Sequence, residues 1–298
     1  MSAWSGKSKG TVLGYKIFVF ILSYLGLLPA YFILYFVALY YFLFSAHSTQ
    51  IIYSYLHERL KFSRTTSLLG IYRNYFVFGQ SLIDRVAVLA GYSRFHYHFE
   101  GEHYLEQMCL SGSGGILVSA HLGNWEIAGH LLQKFSCTIN VVMYDGEHQK
   151  IKSYLEGIKG SSRVRIIAIK DDLSHIYQIN EALEKKELLC IHGDRFTTGA
   201  RTISAQFLGK EALFPIGPYQ LAARYNVPVS FVFSTKQSWN KYHLKASEPI
   251  YLPSPRSSNY TELLTHSVHE YIRQIEDTIR LYPYQWFNYY DFWKVDRP

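Results

Sequence analysis

Gly115-Ile-Leu-Val-Ser-Ala-His121-Leu-Gly-Asn-Trp-Glu126 is the stretch whose reading decides the fold. Its first six residues form a short apolar run, the pattern of a strand buried on both faces. Gly123 permits a tight bend, and Asn124 is a residue type that caps helices. Residues 125–134 then read as a helix. Strand, turn and helix in this order are the repeating unit of an α/β domain.

The alternation continues along the chain. Strands are expected at 139–143, 164–169, 188–191, 227–233 and 241–246, and helices at 149–158, 173–185 and 218–225. Residues 204–214 read as a β-hairpin turning at Gly209-Lys210, and 261–281 as an amphipathic helix. The reading is α/β, a mixed central sheet flanked by helices, with an N-terminal hydrophobic membrane-binding helical segment. Gly112-Ser-Gly-Gly lacks the Gly-Lys-Ser/Thr ending of a phosphate loop and precedes a strand, so it reads as a turn.

Upstream, the run from Ile17 to Ala46 carries no formal charge. A spanning helix needs about 20 such residues, and the run far exceeds the roughly 7–15 of a signal-peptide core. Gly26 and Pro29 divide it into two segments, each short for a perpendicular span. Lys7, Lys9 and Lys16 precede it; Arg59, Lys61 and Arg64 follow it. Positive charge on both sides favours a hairpin dipping into one leaflet, with a single tilted span as the other arrangement. The expected division is residues 1–47 as membrane anchor and 48–298 as the catalytic domain. Within the latter, the stretch from Ser48 to about Gly91 reads as about two amphipathic helices.

Composition agrees with a protein partly covered by something other than water. Charged residues make up 18% against roughly 25% in ordinary soluble domains, and the chain holds 26 Tyr. The net charge of +7 suits anionic partners. No long basic run, zinc finger or RNA-binding signature accompanies it, so nucleic acid is not an expected partner. Cys109, Cys137 and Cys190 are widely spaced and lack a Cys-x-x-Cys pair, which predicts buried free thiols in a reducing compartment. His96 and His98 fall on one face of a predicted strand but have no third ligand in view, so a solvated or packed pair is expected.

His121 closes the first strand and Glu126 opens the next helix. A neutral imidazole there can take a proton from an attacking hydroxyl, while a carboxylate on its other nitrogen fixes the tautomer. Backbone N–H groups at the helix start can help bind an oxyanion. Spacing alone leaves a second reading open: a histidine packed under the strand end and a solvated first-turn glutamate.

His-Leu-Gly-Asn-Trp-Glu after an apolar strand resembles the His-x4-Asp/Glu motif of the lysophospholipid acyltransferase superfamily, in the form of its lipid A biosynthesis (lauroyl/myristoyl) branch. His192-Gly-Asp-Arg195, Phe207-Leu-Gly-Lys-Glu-Ala-Leu-Phe-Pro-Ile-Gly-Pro218 and Tyr282-Pro-Tyr-Gln-Trp-Phe287 resemble later blocks of that branch in order and spacing. The resemblance covers nearly the whole chain. It implies transfer of a fatty acyl group, usually from acyl carrier protein, to a hydroxyl of a membrane lipid on the cytoplasmic face of a bacterial inner membrane. His121 would be the general base and Glu126 its partner, with Asn124, Asp194 and Arg195 as substrate-binding residues.

No metal or other cofactor is implied; acyl carrier protein or coenzyme A would carry the donor. Pro215-Ile-Gly lacks the glutamate of the Phe-Pro-Glu-Gly-Thr block of glycerolipid enzymes, which weakens a glycerol-3-phosphate acceptor. Trp286 is either a lipid contact or a core aromatic. A silent lipid-binding scaffold and a water-activating hydrolase are the rival functions. A covalent hydrolase lacks support, since there is no Gly-x-Ser-x-Gly elbow.

Overall fold

The computed structural model describes residues 20–22, 24–89, 91–92, 94–125, 127, 137–144, 164–169, 172–196 and 199–294. Glu126, the expected helix at 149–158 and most of the one at 125–134 lie outside these.

Gly26, with φ 87°, separates the first helical residues from α1 (Leu27–Phe44). Pro29 does not break the run as expected. It sits in the first turn of α1, where a missing N–H costs no intrahelical bond. Helix α2 (Ala46–Ser54) runs into a π-helical turn (Tyr55–Arg59), and α3 (Arg64–Leu89) follows. Ser63 caps α3, its hydroxyl accepting the Thr66 N–H at 3.1 Å.

Helix α1 lies along α3 and has two different faces. Leu27, Ala30, Tyr31, Leu34 and Ala38 are buried. On the outside, Leu28, Phe32, Tyr35, Phe36, Leu39 and Leu43 are 44–63% exposed. The helix is long and apolar enough to cross a membrane.

The α/β part of the chain contains β1 (His96–Glu100), α4 (Glu102–Leu110), β2 (Gly115–Ser119), β3 (Ile139–Tyr144), β4 (Val164–Ile169), α5 (Ser174–Glu184) and β5 (Leu188–His192). Then come β6 (Thr202–Phe207), β7 (Lys210–Pro215), α6 (Gly217–Tyr225), β8 (Val229–Ser238), β9 (Lys241–Ala246) and α7 (Tyr260–Leu281). Seven strands form one sheet in the order β1-β9-β8-β2-β5-β3-β4, while β6 and β7 pair as a separate hairpin. The sheet is mixed because β8 and β9 pair antiparallel and the other neighbours parallel.

The all-apolar strand β2 lies inside the sheet, flanked by β5 and β8 and buried at every residue. Ile116 and Val118 point into the larger core, which α7 covers with Leu264, Val268, Tyr271, Ile272 and Ile275. Leu117 points to the opposite face, beside Leu105 and Met108 of α4. Strand β8 outruns its predicted end at 233, because its polar residues Ser234–Ser238 pair with β9.

The cysteine expectation is corrected. Cys109 and Cys137 form a disulfide, their Cα atoms 5.4 Å apart, and Cys190 is free. Helix α4 packs under the sheet and delivers Cys109 beside the start of β3, a proximity that linear spacing does not reveal.

Candidate active site

The parallel pairing of β2 with β5 sets Ser119 opposite His192, so the two strands end together. Their extensions carry the polar groups: His121 beyond β2, and His192, Asp194 and Arg195 at and beyond β5. This is the carboxyl edge of a parallel sheet, where ligands of open α/β folds are bound. The Ser119 carbonyl ties the two ends, accepting from the Gly193 N–H at 2.8 Å and from the Tyr271 hydroxyl of α7 at 2.6 Å.

Asp194 is 3% exposed and holds His121 twice. One carboxylate oxygen accepts from His121 Nδ1 at 2.8 Å and the other from the His121 backbone N–H at 2.9 Å. The Trp286 indole N–H reaches the second oxygen at 3.4 Å. Burial works against this carboxylate. The His121 charge and hydrogen bond, with Arg195 and His192, outweigh it and hold Asp194 well below the usual carboxylate range.

An ionised Asp194 accepts only, so Nδ1 carries a proton whether or not the ring is charged, and in the neutral imidazole the basic lone pair lies on Nε2. Glu126 was the carboxylate expected at the histidine, but Asp194 occupies Nδ1. The sequence does not state which strand neighbours β2, so this partner could not be chosen from spacing.

The His192 ring lies beside that of His121, tilted by 37° with centroids 4.2 Å apart, and meets Trp125 edge-on at 4.9 Å. Burial first, then the nearby His121 and Arg195, push His192 well below the ordinary histidine value against the pull of Asp194, so it is neutral. Arg195 donates to the Phe287 carbonyl at 3.0 Å and lies 5.6 Å from the Tyr290 ring centroid. His121, His192 and Asp194 offer ligand atoms within 4.8 Å of one another, the one place among the described residues where a metal could be held. The 2.8 Å between His121 and Asp194 is the spacing of a shared proton.

The loop bearing His121 is clamped on both sides. Phe287 N–H donates to the His121 carbonyl at 2.8 Å, Gly123 N–H to the Gln285 carbonyl at 2.8 Å, and Asn124 N–H to the Ser234 carbonyl at 2.7 Å. Gly123 has φ 69°, and a Cβ there would stand 1.9 Å from the Ser234 carbonyl oxygen; only glycine fits. Asn124 is 4% exposed. Its amide donates to the Ser81 carbonyl at 2.9 Å and to Tyr242 at 3.4 Å, and its oxygen caps the new helix at Ile127 N–H.

Trp286 is a core aromatic, 2% exposed among Tyr55, Phe207, Phe292 and Trp293. Its bond to Asp194 also places it behind the site. Beside His192, Ser119 and Trp125 opens an apolar crevice between Val141, Val142, Ile191 and Phe233. His96 and His98 are exposed on β1, and His98 lies beside His243 of β9 with centroids 5.2 Å apart.

No curated protein matches the chain. Among solved structures, the crystal structure of the 1-acyl-sn-glycerophosphate (LPA) acyltransferase PlsC from Thermotoga maritima is 16% identical. It aligns over 84% of this chain and 98% of its own, with a TM-score of 0.40. The model of the bacterial lipid A biosynthesis acyltransferase family matches residues 83–295, a span that takes in His121, Asp194 and the clamp at 285–287, and the chain belongs to that acyltransferase family.

Proposed function

We propose that this acyltransferase moves a fatty acyl group from a thioester, with acyl carrier protein as the donor, to a hydroxyl of a lipid A precursor or a related lipid. His121 Nε2 takes the proton of the acceptor hydroxyl as its oxygen attacks the thioester carbonyl. The carbon–oxygen bond forms, the carbon–sulfur bond breaks, and the proton held by His121 passes to the departing thiolate. Asp194 keeps the proton on Nδ1 and steadies the imidazolium.

The observation that carries this reading is the double hold of Asp194 on His121 at the carboxyl edge of the sheet. Arg195 is assigned to the anionic groups of donor or acceptor, and Glu126 to the same reaction centre. Asn124, expected to bind substrate, is instead assigned to holding the loop, since its side chain is committed to Ser81, Tyr242 and Ile127.

The exposed apolar face of α1 suits contact with the cytoplasmic leaflet of the bacterial inner membrane, where the acceptor resides. The test is to incubate the purified protein with labelled acyl carrier protein and total membrane lipid, then identify the labelled product. An acylated lipid supports the proposal. Free fatty acid released equally without lipid would replace it with hydrolysis.

A further inference from the structure

Behind the loop that carries His121 lies a buried ionic cluster that the acyl transfer does not use. Asp84 of α3 is fully buried and pairs with Lys236 of β8, itself 8% exposed. Tyr31 of α1 and Tyr242 of β9 both donate to the Asp84 carboxylate. The Lys236 ammonium also donates to the Trp239 carbonyl at 2.9 Å and the Tyr31 hydroxyl at 3.0 Å, and lies 4.8 Å from the Tyr242 ring centroid. Four separate elements therefore meet on one carboxylate.

Two connections run from this cluster to the loop. Tyr242 receives the Asn124 amide, and Asn124 follows His121 by three residues. Lys236 exchanges backbone bonds with the Gln285 side chain, at 2.8 Å and 2.6 Å, and the Gln285 carbonyl receives Gly123 N–H. Burial raises the Asp84 pKa and lowers that of Lys236, the direction that disfavours both charges. A buried pair of this kind is often no more stabilising than apolar side chains of the same volume, and fixing one geometry is a use such pairs are known to serve.

We propose that Asp84 is a positioning residue for acyl transfer, holding Asn124 through Tyr242 and thereby the loop that aims His121. Tyr31 belongs to α1, so the same carboxylate makes the aim of the base depend on how the apolar helix is seated against the domain. The inference rests on the reading of His121 as the base.

The test uses the full chain in lipid vesicles and removes one hydroxyl at a time, with Tyr242→Phe and Tyr31→Phe, alongside Asp84→Asn. Displacing a base by about an ångström costs on the order of 100-fold in rate, so Tyr242→Phe is expected to lower kcat about 10- to 100-fold. The KM for the acyl thioester stays within about twofold, because donor binding does not pass through this cluster. Tyr31→Phe lowers kcat in the same sense, and the double variant falls short of the product of the two effects, since both act through Asp84.

Wild-type kcat in folded Tyr242→Phe and Tyr31→Phe would overturn the proposal, as would losses of activity that track only the folded fraction. Asp84→Asn that fails to fold leaves these two variants to decide. A His121→Ala protein run in parallel separates the two claims. If it retains activity, the base assignment fails; if it is inactive while both tyrosine variants are normal, only the positioning role fails.

Discussion

Replacing Asp194 by Asn tests the hydrogen-bond logic of the site with the loss of one charge and almost no change in volume. In the wild-type protein both carboxylate oxygens accept from the same residue, one from the His121 ring and one from its backbone N–H. An amide has a single acceptor oxygen, so in either orientation one of these donors meets an NH2 group. If the oxygen stays with the backbone, the NH2 faces Nδ1 and selects the tautomer protonated on Nε2, which leaves no lone pair for the acceptor hydroxyl. If the oxygen turns to the ring, a buried backbone N–H loses its partner, a cost of about 1–3 kcal/mol, and the imidazolium loses its countercharge.

The same exchange in hydrolytic triads lowers kcat about 10^4-fold through the wrong tautomer. Here the expected fall is about 10^3- to 10^4-fold, equivalent to roughly 4–5.5 kcal/mol of transition-state stabilisation, with little change in KM for the acyl thioester. The assay is transfer of labelled acyl groups from acyl carrier protein to membrane lipid under saturating donor, with circular dichroism to confirm folding. An Asp194→Asn protein that is folded and within about tenfold of wild-type kcat would refute the tautomer argument.

Gly123→Ala forces a non-glycine residue to φ 69° and a Cβ into the Ser234 carbonyl. It should cost more than about 2 kcal/mol in denaturant unfolding and abolish transfer; a variant as stable as wild type would show that the loop is not clamped as described. His192 supplies a pH dependence. Its folded pKa is depressed, chiefly by burial, so the unfolded chain takes up a proton near pH 6.5 that the folded chain refuses. Stability from this residue is complete above about pH 6.5 and falls as pH drops toward the folded pKa, by up to about 1.4 kcal/mol per pH unit. Thermal unfolding between pH 7 and pH 5 should therefore be flatter for His192→Phe than for wild type, and parallel curves would contradict the neutral assignment. Alkylation of the denatured, unreduced protein should label Cys190 alone, because Cys109 and Cys137 are paired. In the folded state Cys190 should resist too, its thiol pushed up to about 12 by burial.

The elements with a strong local pattern were legible in the sequence. The apolar run at 115–119, the hairpin around Gly209 and the apolar face of α7 each carry their own periodicity or turn chemistry. Strand order was not legible, since it depends on which edges pair after the chain has travelled far. From that follows what the reading missed: Asp194 as the partner at Nδ1, Trp286 behind it, and the meeting of Cys109 with Cys137. The His192-Gly-Asp-Arg block did signal Asp194, but its place beside β2 depends on the β2–β5 pairing.

Asp84 lies in the stretch from Ser48 to about Gly91 that reads as amphipathic helices, where a single charge carries no signal of burial. Only the approach of Tyr31, Lys236 and Tyr242 from distant parts of the chain turns it into a buried centre. Pro29 misled for a local reason: the same residue that breaks a helix interior is tolerated in a first turn.

The proposed transfer depends most directly on His121. Purified His121→Ala, folded and presented with labelled acyl carrier protein and membrane lipid, should yield labelled lipid at least about 10^3-fold more slowly than wild type while still binding the acyl donor. Transfer by this variant at the wild-type rate to the same lipid product would contradict the central claim.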